Sequence, residues 1–157
     1  MSTTDLGPEI ALLARDAGTW DAEVTVRPGP GAPPVPSTGV SVNKMICGGR
    51  WLVVDFKNET GFEGHGVYGW DPARSAYVST WIDNMRTFLV VAAGHHDPES
   101  KTTTYQTEAT LPDGKTIRWR EETRTIDDDT REFRQFFPGP DGDVETMTVT
   151  YRRRRGS

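Results

Sequence analysis

Residues 20–27 read Trp-Asp-Ala-Glu-Val-Thr-Val-Arg, a strict alternation of apolar and polar side chains. A period of two places every apolar group on one face of an extended strand and every polar group on the other. Comparable runs recur at about 38–47, 50–58, 62–70, 75–83, 87–94, 101–110, 115–125, 131–137 and 144–152. Turn signals separate them: Gly48-Gly49, Asp71-Pro72, Asp97-Pro98, Pro112-Asp113-Gly114, Asp127-Asp128-Asp129 and the stretch from Pro138 to Gly142. About ten short strands joined by tight turns predict an antiparallel meander. A sheet that long curls or closes, because closure removes its exposed edges. The expected fold is therefore all-β, a single closed antiparallel barrel of about ten strands.

One helix is expected, and it is short. Pro8 suits a first helical position, Ile10, Leu12, Leu13 and Ala14 follow, and Gly18 ends the segment. Residues 28–36, Pro-Gly-Pro-Gly-Ala-Pro-Pro-Val-Pro, are expected to form a loop at a barrel rim. The expected division is a tail and capping helix over 1–17, a barrel over 18–153 and a basic tail over 154–157. Composition agrees: of 157 residues, 20 are Thr and 13 Val against 6 Leu, which favours sheet over helix bundle.

The net charge of −5 argues against a general nucleic-acid binder, despite the run Arg152-Arg153-Arg154-Arg155. That run reads as a solvated tail. Cys47 is the sole cysteine, so no intrachain disulfide forms, and a small buried or half-buried side chain is expected there. The first seven residues lack the basic start and apolar run of a signal peptide, and no stretch is apolar enough to span a membrane. The expectation is a cytoplasmic protein, monomer or homodimer, with no nucleic-acid or membrane partner.

Gly18-Thr19-Trp20 opens the first strand directly after the short helix. This G-x-W resembles the opening of the lipocalin-like, or calycin, barrels. In that group the Trp closes one barrel end and an Arg near the end of the last strand packs against it. The resemblance implies structural roles for Gly18, Trp20 and an Arg, with Arg153 sharing the face of Met147, Val149 and Tyr151 and Arg152 as the alternative. Three further stretches resemble an uncharacterised bacterial family, a domain of unknown function: Gly48-Gly49-Arg50-Trp51-Leu52, the run from Gly64 to Asp71, and the run from Tyr77 to Asp83. The likeness covers roughly residues 15–152 and implies a lipocalin-like barrel without naming a chemistry. Another calycin branch, the nitrobindins, binds haem through an axial His on a late strand. This chain has no His after His96, and no cofactor is expected.

Residues 64–69 fit G-x-G-x-x-G, but a dinucleotide fingerprint needs a helix after it, and here an aromatic strand follows. His95 and His96 are adjacent, so on a strand they face opposite ways, and His65 lies between two glycines. No metal site is expected. No G-x-S-x-G elbow appears.

With Trp20, Val24 and Val26 turned inward, parity turns in one set of side chains from each later strand. Tyr68, Tyr77, Trp81, Tyr105, Trp119, Gln135 and Phe137 are the expected ligand-binding residues, lining a pocket for a small hydrophobic or aromatic molecule. Asp83 and Glu121 fall on otherwise apolar faces. In an enzyme, a cyclase or isomerase of a largely apolar substrate, Asp83, Glu121 and Tyr68 would be acid, base and donor. Otherwise the two acids pair with arginines, or the barrel is a solid interaction scaffold. Whether a reaction occurs stays open at this point.

Overall fold

The computed structural model describes residues 3–156. Ten antiparallel strands close into one barrel in simple sequence order, with β1 hydrogen-bonded to both β2 and β10. The strands are β1 Gly18–Val26, β2 Val35–Ile46, β3 Trp51–Asn58, β4 Glu63–Asp71, β5 Ala76–Asp83, β6 Val90–Asp97, β7 Thr102–Thr110, β8 Thr116–Asp127, β9 Thr130–Gly139 and β10 Gly142–Arg153. Closure leaves no unpaired edge, which is the physical reason a meander of this length does not stay open. A 3-10 turn, Thr3–Leu6, leads into helix α1, Pro8–Ala14, with Pro8 in the first turn.

Helix α1 lies across one end. Leu13 packs with Leu52, Tyr77 and Tyr105, and the Tyr77 hydroxyl donates to the Glu9 carbonyl at 2.8 Å. The β2–β3, β4–β5, β6–β7 and β8–β9 turns share this end. The opposite end, the mouth, carries the proline-rich loop and the 84–89 loop. Two further core clusters fill the wall near the mouth: Ala22, Val24, Phe56 and Val149, and Val90, Ala109 and Trp119.

Three boundaries differ from the sequence reading. Strand β6 begins at Val90 rather than 87 and runs to Asp97. Thr102–Thr104 extend the ladder to His95, His96 and Asp97, and the Asp97 carboxylate then accepts from Glu99 N–H and the Ser100 hydroxyl to make the turn. Val35 and Pro36 belong to β2, opposite Val26 and Thr25, so the proline-rich loop is shorter than expected. Pro138 and Gly139 stay in β9, leaving only Pro140-Asp141 as the turn. Cys47 is exposed rather than buried, because it sits in the β2–β3 turn with φ 53°.

The terminal arginines are spent on neighbouring acids. Arg152 lies 3.2 Å from Glu23, Arg154 2.5 Å from Asp21, and Arg155 3.5 Å from Asp129.

Candidate functional site: the barrel lumen

Register decides which side chains meet inside. Trp20 pairs with Arg153 on one side and Ser41 on the other; Tyr68 pairs with Leu52 and Ser79; Tyr105 pairs with Gly94 and Glu121; Gln135 pairs with Glu121 and Met147. One inward ring of side chains therefore runs through all ten strands. Tyr68, Tyr77, Trp81, Tyr105, Trp119, Gln135 and Phe137 all belong to it, as do Asp83 and Glu121.

At the helix end the lumen is plugged. The Arg153 guanidinium stands 4.2 Å over the Trp20 ring, and it donates to the carbonyls of Ala17 at 2.6 Å, Arg15 at 2.8 Å and Asp128 at 3.1 Å. Gly18 has φ 128°, and a Cβ there would lie 2.8 Å from the Arg153 Nη1. The left-handed backbone requires glycine, and any side chain there would press on the Arg153 guanidinium. Arg131 stacks against Trp20 at 4.7 Å and Tyr151 at 4.6 Å, with Asp16 at 3.6 Å. Burial pushes the Asp16 carboxyl up, while Arg131 and Arg153 pull it back. Arg153 rather than Arg152 takes the position over Trp20; Arg152 points outward to Glu23.

The glycine-rich stretch on β4 serves packing. A Cβ on Gly64 would fall 2.1 Å from Trp81 Cζ2, and one on Gly66 3.0 Å from Trp81 Cε3, so the indole lies flat on a bare strand. Gly69 does the same for Trp51 at 2.2 Å. Close approach, not phosphate binding, accounts for the spacing.

The expected ligand-binding residues divide into committed and uncommitted groups. Tyr77 holds the helix. The Trp119 and Phe137 rings stack at 5.1 Å, and Trp81 bridges two core clusters. Tyr68 and Tyr105 meet edge to face at 6.2 Å. Their hydroxyls, and that of Tyr151, have no hydrogen-bond partner among the described residues, yet none is fully enclosed. Each tyrosine faces inward, so that accessible surface belongs to the lumen. Tyr68, Ser79, Glu121, Phe133, Gln135 and Met147 are likewise only half-buried although they point into a closed barrel. The interior is open there. Burial raises the phenols of Tyr68, Tyr105 and Tyr151 above the ordinary range, so all three stay protonated at neutral pH.

Glu121 stands among them. Its Oε2 accepts from Trp119 Nε1 at 2.8 Å and Gln135 Nε2 at 3.3 Å, and Gln135 Oε1 accepts from Thr146 at 3.1 Å. Its Oε1 has no partner among the described residues and is not sealed. Burial pushes the carboxyl above its usual range; the two hydrogen bonds pull it down. Asp83 is elsewhere. Tyr68 pairs with Ser79, so Asp83 lies four residues farther toward the mouth, ~13 Å along the strand. It accepts from Trp81 Nε1 at 3.1 Å and Met85 N–H at 3.0 Å, with Arg86 at 3.7 Å. The three residues expected to act together thus split into Tyr68 with Glu121, and Asp83 apart.

Tyr151 and Met147 are lumen residues that the sequence reading left out of the binding set. The signal was available, since both share the face of Val149 and Arg153. The histidines do not converge: His65 bonds Asp55 at 2.6 Å on the outer face, His95 is exposed, and His96 turns in to Thr103 at 2.9 Å. Burial lowers the His96 imidazole. Strands β7–β10 carry no His.

Among solved structures, the chain is similar to Rv2717c from M. tuberculosis, with TM-score 0.70, 13% identity, and coverage of 95% of this chain and 99% of that one. That likeness speaks to fold. A redesigned β-barrel aligns with TM-score 0.38 and 15% identity over 94% of this chain and 96% of that one. No curated protein matches. The family described as "Protein of unknown function (DUF1579)" matches residues 6–153, and the chain belongs to that family.

Proposed function

We propose that the chain binds a small, largely apolar molecule, aromatic or aliphatic, inside the barrel. The observation that carries this is the set of inward tyrosine hydroxyls without protein partners and without a seal. Three left unpaired in one aromatic-walled space are what a binding site needs before its ligand arrives. The mouth supports the reading. Val26, Val35 and Val144 on its inner rim are 38%, 52% and 51% exposed, and Met85 and Leu89 of the 84–89 loop 71% and 52%. An apolar lip of this kind suits entry of an apolar molecule.

Catalysis in the same space would rest on Tyr68 and Glu121 alone, because Asp83 is occupied at the mouth. The test is native mass spectrometry of purified protein, with a thermal-shift series using 1-naphthalenemethanol and aliphatic alcohols. Binding predicts a retained ligand or a saturable rise in melting temperature. The absence of both, in a barrel found packed solid, would overturn the reading in favour of a scaffold.

A further inference from the structure

The charges inside the barrel do not cancel. Arg131 lies 3.6 Å from Asp16, its Nε buried without a hydrogen-bond partner among the described residues. Arg153 lies 3.3 Å from Asp129, which it shares with Arg155, and donates to three carbonyls. Asp83 is matched by Arg86 at 3.7 Å. Glu121 has no cation beside it among the described residues: Trp119 and Gln135, both neutral donors, are its partners, and one carboxylate oxygen opens on the lumen. Around it stand aromatic faces and the oxygens of Tyr68, Tyr105 and Tyr151. Tyr105 is only 5% exposed, with its hydroxyl unpartnered.

An aromatic enclosure with one uncompensated carboxylate complements an organic cation. Ring faces attract positive charge, the carboxylate forms a charge-assisted hydrogen bond, and phenol oxygens accept the remaining N–H groups. An anion would instead meet Glu121 at close range in a medium of low polarity. Resting on the reading that the lumen holds a small apolar molecule, we propose that this ligand is a lipophilic amine, its ammonium group seated at the free Glu121 oxygen and the tyrosine hydroxyls. The apolar body then lies toward Phe133, Met147 and the mouth.

The experiment is calorimetric titration of the full chain at neutral pH with three probes of one shape: 1-naphthylmethylamine, 1-naphthalenemethanol and 1-naphthoate. The expected order is amine, then alcohol, then carboxylate. The amine should bind about 10- to 100-fold tighter than the alcohol, the range of a hydrogen bond to a charged group. Glu121→Gln should abolish that preference. If the alcohol or the carboxylate binds at least as tightly as the amine, the amine inference is overturned while the lumen reading stands. If no probe of the three and no aliphatic alcohol binds, both are overturned. Should Glu121→Gln fail to fold, the charge order in the unaltered protein decides, and Tyr105→Phe, which removes one acceptor, should lower the amine-to-alcohol preference several-fold.

Discussion

Two strands carry the same local unit and put it to different use. Trp81-Ile82-Asp83 on β5 and Trp119-Arg120-Glu121 on β8 each turn an indole and a carboxylate inward two residues apart. In each, the indole N–H donates to the acid, at 3.1 Å and 2.8 Å. The mouth unit ends its strand. Loop 84–89 begins beside it and supplies the Met85 N–H and Arg86, so Asp83 is satisfied and its side chain is 5% exposed. The lumen unit sits in the middle of β8, where the ladder has consumed the backbone N–H groups. Only side chains reach Glu121, and its donors are Trp119 on its own strand and Gln135 on β9. Position along the strand therefore decides whether a carboxylate becomes a turn-capping ion pair or an unmatched group in a cavity.

That contrast breaks first at the indoles. Trp119→Ala should cost about 3–5 kcal/mol in urea unfolding, since the ring is 6% exposed and stacked on Phe137. Trp81→Ala should cost less, because Trp81 is only half-buried; equal losses would contradict the assignment of Trp119 to the better-packed wall. Next comes Gly64→Ala, which drives a methyl into the Trp81 ring. It should cost about 1–3 kcal/mol and leave the β8 unit intact, read by tryptophan fluorescence together with unfolding.

The acids separate by sign. Asp83→Ala strands the Trp81 and Met85 donors and should destabilise by about 1–3 kcal/mol. Glu121→Gln should not destabilise at neutral pH. The Glu121 carboxyl is raised in the folded state, so its contribution to stability is intact below the ordinary carboxylate range and is lost as pH rises toward the folded value. Glu121→Gln should match the wild type in acid and gain on it as pH rises to neutrality, measured by denaturant unfolding across that window. A gap that narrows with rising pH would contradict the placement. The smallest effect is expected at Tyr105→Phe, within about 0.5 kcal/mol, because the hydroxyl has no partner among the described residues. Tyr77→Phe, which loses the bond to Glu9, should cost about 1 kcal/mol.

The barrel was legible in the sequence because period-two alternation and turn chemistry are local signals. From Trp20–Arg27 and the glycine and proline breaks, strand number and inward face follow without tertiary information. Where Glu121 would meet Tyr68 was not legible, because register across strands far apart in sequence sets it. The satisfaction of Asp83 depends on how loop 84–89 folds back, and that loop has no periodicity. Phe88-Leu89 reads as strand and forms loop, since β6 gains its pairing partners at the other end, from Thr102–Thr104. The glycines of residues 64–69 match a phosphate motif in pattern alone; only the indoles lying over them reveal their use.

Methionine methyl resonances report whether a small apolar molecule enters the lumen. Met147 faces the lumen beside Phe133, while Met85 is 71% exposed outside the mouth. In a protein labelled with methyl-13C methionine, titration with 1-naphthalenemethanol should give a saturable ring-current shift at Met147 and a smaller one at Met85. Shifts confined to Met85, or none at all, would contradict a ligand inside the barrel.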